Sequence, residues 1–488
     1  MSGGKFFFVG IGGSGMMPLA MLLRARGHEV GGSDRGLDQG RSAPKFEALR
    51  TAGIALFPQD GSGVTADAVV VVSAAVEETV PDIVAATHLG AKRTTRATLL
   101  ADMFNAAGLP IGVAGTSGKS TVTGMIGRIL HAAGRDPTVT NGAVMKDFTG
   151  DDAPFASALV GGGDAFVSEV DESDAAFPLY QPRVAVLNNV TLDHKGLDEL
   201  RALFAGFVAA AEHVVANVGD AETAALLATL PRDRVTTFAI ERDADLVAEK
   251  LDAAPFAIAF DLVARPTPSD VVPSPSAVER KEKPGSDVVR LRVELAVPGR
   301  HNVSNALAAI GAARAAGVPL AEAARLVGRF TGLRRRYDLV GEAGGVAVID
   351  DFGHNPDKVA ATLDTLHAHR GRLLVLFQPH GYGPLKQMGA ELADTFAAHL
   401  APGDVLTVPD PAYFGGTVAR DVGSDAFVAR MVAAGAEAYH DADRDRGAAR
   451  LLALARPGDR IVVMGARDDG LSALAADLLR QLHERRTR

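Results

Sequence analysis

Short runs that are apolar at every position recur along the chain, stop at glycine-rich or acidic turns, and are mostly followed by apolar residues spaced three and four apart. The first pattern fits a strand buried on both faces and the second an amphipathic helix. On this reading residues 5–9 form a strand, Gly10-Ile11-Gly12-Gly13-Ser14-Gly15 a tight turn, and 16–26 a helix. Further strands are expected at 28–32, 54–57 and 68–72, with helices at 43–52 and 97–106. In the middle of the chain 111–114 leads into Gly115-Thr116-Ser117-Gly118-Lys119-Ser120-Thr121 and a helix carrying Val122, Ile126, Ile129 and Leu130; 164–168 and 184–187 read as the next strands. Later strands at 346–349, 373–377, 405–408 and 461–464 alternate with alanine-rich helices. Such alternation predicts an α/β protein with mostly parallel sheets. Between 241 and 289 the pattern loosens, and the proline-rich stretch 266–285 with its charge run 279–283 predicts a mobile surface hairpin or loop.

A chain of 488 residues is too long for one ordinary core. Three domains are expected: a Rossmann-like domain over 1–107, a central P-loop-type ATPase α/β domain over 108–330, and a second Rossmann-like α/β domain over 331–488. A net charge of −9 without a basic stripe argues against a nucleic-acid partner. The absence of cysteine removes disulfides, thiolate zinc sites and a cysteine nucleophile. The apolar run 6–23 carries glycines at 10, 12, 13 and 15, which suit a turn better than a signal-peptide helix, and no other run is long enough to span a membrane. A cytoplasmic protein is expected; the sequence sets no oligomeric state.

Candidate chemistry begins at residues 115–121. A glycine-rich turn between strand and helix points backbone N–H groups at an anion, and Lys119 adds a full positive charge. A literal P-loop pattern would need glycine where Val113 stands, so the loop is a shorter relative with the same physics. Lys119 is expected to meet ligand and solvent rather than core. The turn at Gly10–Gly15, with Asp34 ~20 residues further on, has the order of a dinucleotide-binding fingerprint; it fits NAD(P) or the diphosphate of a UDP-sugar equally well. Ser73 and Arg96 stand where strand and helix ends converge, as substrate contacts or as plain surface. Glu169-Val170-Asp171-Glu172-Ser173-Asp174 gathers carboxylates just past a strand, where a cation such as Mg2+ would be needed beside an anionic substrate. His194 follows the strand at 184–187, as a site residue or a surface histidine.

Four segments in order, 115–121, 169–174, Asn189-Val190-Thr191-Leu192-Asp193-His194 and Pro298-Gly299-Arg300-His301-Asn302-Val303-Ser304-Asn305, resemble those of the Mur ligases, ATP-dependent acid–amino-acid ligases of cell-wall precursor synthesis. With Gly10–Gly15 and Asp34 resembling the UDP-binding domain of the alanine-adding and murein-peptide branches, the resemblance covers nearly the whole chain. It implies ATP and Mg2+ as cofactors, a nucleotide-sugar acid such as UDP-N-acetylmuramate, and L-alanine or a related amine. It places Lys119 on the β and γ phosphates, Ser120 and Glu169 on one Mg2+, and His194 on a second. It puts His301, Asn302 and Asn305 near adenine and metal, Arg336 on the nucleotide phosphates, and Asp351 and His354 near the ribose and the amine, with His354 a candidate base; a plain helix N-terminus at 301–305 and a solvated arginine turn at 334–336 are the alternatives. Gly12, Gly13, Ser14, Gly15 and Asp34 would take the UDP-sugar.

Three departures bear on the amine. Asn355 replaces a second histidine; Gly381 and Pro384 replace arginines credited with binding a carboxylate, leaving His380 and Lys386 as candidates; and Arg467 stands in a usual Gly-Ala-Gly-Asp turn. An enzyme for another acid or amine, an NAD(P)-dependent oxidoreductase and a non-catalytic ATP-binding regulator are the competing readings.

Overall fold

The computed structural model describes residues 3–41, 43–73, 76–150, 153–172, 176–191, 196–265, 288–412, 420–466, 468 and 470–486. The loop expected at 266–285, and with it His194 and Arg467, lies outside them. The chain forms two compact units, 1–253 with 257–332 and 254–256 with 333–488.

The first unit holds two sheets. In the five-stranded one the spatial order is Ala55–Phe57, Glu29–Ser33, Lys5–Val9, Val69–Val72, Lys92–Thr95, with every neighbouring pair parallel. Phe7, Phe8 and Val9 are buried at its centre, as a strand covered on both faces requires. Lys92–Thr95 reads Lys-Arg-Thr-Thr, an edge strand with no apolar signal. The strand order reverses at Lys5–Val9, and Gly10–Gly15 leaves that strand at the switch point.

The ten-stranded sheet has a parallel centre in the order Thr138–Thr140, Ala165–Glu169, Leu109–Ala114, Val184–Leu187, His213–Asn217, Val235–Ile240. The phosphate-loop strand Leu109–Ala114 therefore lies between the strands that end in the acidic cluster and in Asn188-Asn189. Between 241 and 289, where the pattern loosens and a surface hairpin or loop was expected, Leu246–Ala254 and Ala257–Ala264 extend the sheet, and Val289–Leu295 follows antiparallel to the latter. In Ala257–Ala264 burial alternates with Ile258, Phe260, Leu262 and Ala264 inward, the signature of a half-buried strand. The two sheets of this unit share a core: Phe104, on helix Arg96–Asn105, meets Phe166 and Tyr180 edge-on at 5.9 and 5.2 Å.

In the second unit the order is Asp338–Ala343, Val346–Asp351, Arg460–Met464, Leu373–Phe377, Val405–Val408, Ala438–His440; the first pair is antiparallel and the rest parallel. Phe377, Phe396 and Phe427 pack against one another in its core. Its three central strands lead into residues 352–355, 378–381 and 465–466 on one side of the sheet. Among the described residues no helix is long and apolar enough to cross a membrane.

Candidate active site

Gly115 (φ +132°) and Gly118 (φ +85°) give the loop its turn, and Gly118 caps helix Lys119–Ala132. A Cβ on Gly118 would collide with Asn188 Nδ2 and Asn305 Oδ1, so glycine is needed for both conformation and space. Asn189 Oδ1 accepts from the Thr116 hydroxyl (2.8 Å) and the Ser117 N–H (2.9 Å); Asn188 Nδ2 donates to the Ser117 carbonyl (3.1 Å) and to Asn305 Oδ1 (3.0 Å). Asn305 Nδ2 reaches Asn302 Oδ1 at 3.2 Å, and Asn302 Nδ2 donates to the Pro298 carbonyl at 2.7 Å. Asn302 and Asn305, read as residues beside the nucleotide, are thus buried amides bracing the loop from beneath, while His301 is exposed and folds back over Gly299.

Lys119 departs from its expected surroundings. Its side chain is only 14% exposed, and Nζ donates to the Gly115 carbonyl (2.8 Å) and to Glu172 Oε2 (2.7 Å), a carboxylate 2% exposed. Ser120 Oγ donates to Glu169 Oε2 at 2.8 Å, and the Gly142 N–H donates to Glu169 Oε1. Asn141 Nδ2 binds the Ser120 carbonyl at 2.8 Å, and Thr121 follows half-buried in the first turn of the helix. A hydroxyl and a carboxylate in contact beside a phosphate loop form an all-oxygen donor set that suits a hard cation. Sequence reasoning missed Asn141; Asn189 and Glu172 stand in segments it singled out, but neither the bracing role of Asn188 and Asn189 nor the pairing of Glu172 with Lys119 was read there.

At the first turn, Asp34 Oδ2 accepts the Gly12 N–H at 2.8 Å and Oδ1 the Gly36 N–H at 2.7 Å. Lys45 Nζ donates to the Gly12 carbonyl at 3.1 Å, a contact no motif announced. Gly13 and Ser14 are exposed, and the Arg96 side chain lies across Gly15, where a Cβ would sit 3.0 Å from Arg96 Cδ. The structure thus brings Gly12–Gly15, Asp34 and Arg96 together. Ser73, half-buried, follows Val69–Val72, and its carbonyl accepts the Val76 N–H at 3.1 Å.

In the second unit Asp351 accepts from the N–H groups of Tyr337 and Gly353, both at 2.8 Å, and from the Thr362 hydroxyl at 3.0 Å. It pins the turn in which Arg335 and Tyr337 take left-handed backbone angles (φ +61° and +49°). Arg335 turns inward to Asp350 (3.4 Å), whereas the Arg336 guanidinium lies 4.9 Å from the Phe352 ring centroid. The His354 ring meets Phe352 and His380 edge-on at 5.4 and 5.1 Å. Its Nδ1 faces the Phe352 carbonyl at 2.8 Å, which assigns the proton to Nδ1 and leaves Nε2 as an acceptor. Burial holds its pKa down at about 4, against the raising effect of that carbonyl; the charges of Lys358, His380 and Arg336 lower it further. A ring this acidic is neutral at physiological pH and a weak proton acceptor. Asn355 caps helix Pro356–His367 by accepting the Lys358 N–H at 3.0 Å. Gly381 (φ +147°) begins helix Tyr382–His399, and Lys386 is exposed and paired with Asp421 at 2.7 Å.

A phosphate loop with an internal lysine, joined to an α/β unit with polar strand exits, defines the class as a nucleotide-dependent α/β enzyme. Comparison with known proteins makes it specific. Residues 5–107 match the catalytic domain of the Mur ligase family, 113–313 the Mur ligase middle domain, and 335–467 the Mur ligase glutamate ligase domain. UDP-N-acetylmuramate–L-alanine ligase of Streptomyces coelicolor is 35% identical over 480 residues, covering 94% of each chain. That of Paracoccus denitrificans is 32% identical over 493 residues, covering 99% of this chain and 97% of its own. The crystal structure of UDP-N-acetylmuramate-alanine ligase from Thermotoga maritima superposes with a TM-score of 0.76 at 24% identity, covering 99% of this chain and 100% of that one. The chain belongs to the Mur ligase family and is an ATP-dependent ligase.

Proposed function

We propose that the protein joins UDP-N-acetylmuramate to L-alanine or a closely related amine through an acyl phosphate. The reading rests on the loop at 115–120, where Lys119, Ser120, Glu169 and the N-terminus of helix Lys119–Ala132 converge, together with the names of the 35% and 32% identical relatives.

A carboxylate and an amine do not condense unaided in water. Transfer of the ATP γ-phosphoryl to the carboxylate makes a mixed anhydride; the amine then attacks its carbonyl carbon and inorganic phosphate leaves. The protein positions and neutralises charge rather than forming bonds. The N-terminal turn of helix Lys119–Ala132 and the Lys119 ammonium are assigned to the phosphates, and the Gly10–Gly15 turn with Arg96 to the diphosphate of the sugar nucleotide. Ser120 and Glu169 are the residues we assign to Mg2+, which would offset charge on the transferring phosphoryl group. His354, neutral and with Nε2 free to accept, is assigned to orienting the amine rather than to deprotonating it. Asp351 holds the turn that carries Arg336, the residue assigned to the nucleotide. The domain limits near 107 and 330 are part of this proposal, as is cytoplasmic residence.

The test is phosphate release from ATP over a grid of UDP-sugar acids and amines, with MgCl2 omitted in one arm. Turnover with UDP-N-acetylmuramate and L-alanine, lost without magnesium, is expected. Turnover with another pair alone would overturn the substrate assignment, and oxidation of NADH would restore the oxidoreductase reading.

A further inference from the structure

Glu172 has no place in the chemistry above, yet among the described residues it is the most deeply buried carboxylate of the acidic cluster. Its side chain is 2% exposed, and among the described residues its partner is Lys119 at 2.7 Å. Three donors sit on the Lys119 ammonium; one goes to the Gly115 carbonyl and one to Glu172. A buried carboxylate deprived of its counter-ion is strongly destabilised, so a phosphate that draws Lys119 away has to overcome that cost. The neighbouring Asp171 is exposed, and Glu169 is occupied by Ser120 and the Gly142 N–H.

We infer that Glu172 is an internal counter-ion occupying Lys119 in place of the nucleotide phosphates, an autoinhibitory contact that each incoming nucleotide must open. This rests on the phosphate-loop reading and goes beyond it by assigning Glu172 the opposite sense to Lys119: it opposes nucleotide binding in the resting enzyme.

The test is calorimetric titration of full-length protein with inorganic triphosphate and with ATP, both in EDTA so that metal binding does not enter. Glu172→Gln is expected to tighten both by about fivefold or more, since the carboxylate no longer competes. Asp171→Asn, which removes a neighbouring but exposed charge, is expected to change either by less than about twofold. In a Lys119→Met background, Glu172→Gln is expected to have no effect. Glu172→Met, similar in size and uncharged, repeats the comparison should Glu172→Gln fail to fold. Equal affinities in wild-type and Glu172→Gln protein, or an equal gain from Asp171→Asn, overturn the counter-ion role alone. No binding of ATP to wild-type protein, with or without magnesium, overturns the phosphate-loop reading and this inference with it.

Discussion

Two glycine-rich turns leave strands in the parallel parts of two sheets of the same unit, and they place their charges differently. Residues 115–118 end in Lys119, whose ammonium lies folded against the loop carbonyl of Gly115 and a buried glutamate. Residues 10–15 lead instead into Met16; the carboxylate of Asp34 holds the N–H groups of Gly12 and Gly36, and a cation, Lys45, reaches the Gly12 carbonyl from outside the loop. The same strand–turn–helix geometry therefore carries two chemistries. A cation inside the turn suits a transferring phosphoryl group whose charge must be neutralised; a carboxylate inside it fixes the turn's shape and leaves cationic contact to flanking side chains such as Arg96.

The largest expected effect separates the lysine's two roles. Lys119→Ala removes both the phosphate ligand and the counter-ion of Glu172. ATP-dependent phosphate release is expected to fall roughly a thousandfold or more, and stability by about 1–3 kcal/mol. Adding Glu172→Gln should restore the melting temperature and leave activity lost. Recovery of both in the double variant would mean that Lys119 serves the fold alone.

Glycines sharpen the contrast. Gly118→Ala forces a side chain into left-handed backbone and onto Asn188 and Asn305, so a loss of about 1–3 kcal/mol and of ATP binding is expected. Gly15 has φ −95°, and the atoms its Cβ would meet belong to the movable end of Arg96. Gly15→Ala should cost within about 1 kcal/mol of stability while raising KM for the sugar nucleotide and leaving KM for ATP unchanged. Thermal melts and paired KM values on both variants check this; equal losses of ATP binding would make the two turns equivalent.

Legibility in the sequence followed the same division. Turns that need glycine at fixed places, and strands apolar throughout such as Lys5–Val9 and Val184–Leu187, announce themselves locally. Lys92–Thr95 did not, because an edge strand needs no apolar run, and Ala257–Ala264 hid its alternation among alanines. At the site, Lys119, Ser120 and Glu169 were legible as types in a pattern. The pairing of Lys119 with Glu172, and the amide chain from Asn302 through Asn305 to Asn188, depend on which strand exits are adjacent. That is a property of strand order, which no local spacing carries.

Asp34→Asn should have a smaller and more selective effect. An amide presents one acceptor oxygen where the carboxylate offers two, so it cannot hold both Gly12 and Gly36. KM for UDP-N-acetylmuramate is expected to rise about tenfold with KM for ATP unmoved. A parallel rise in both would mean that the two turns are coupled through their shared core.

The smallest effect concerns the second unit, which shares neither turn. His354 is held at about 4 by burial, against an ordinary value near 6.5. Between those values the unfolded chain binds a proton there that the folded one refuses, so stability rises with pH across this window. The contribution is complete above about 6.5 and is lost as pH falls toward 4, with a slope no steeper than about 1.4 kcal/mol per pH unit for a single proton. His354→Gln removes the group, so the urea midpoint of the variant should fall less than that of wild type between pH 6.5 and 4.5, while the two run parallel above pH 7. Parallel curves throughout would mean that solvent reaches the ring. Its neutrality at physiological pH would then come from its ordinary equilibrium, and its fitness to orient an amine through Nε2 would no longer follow from the packing of Phe352 and His380 around it.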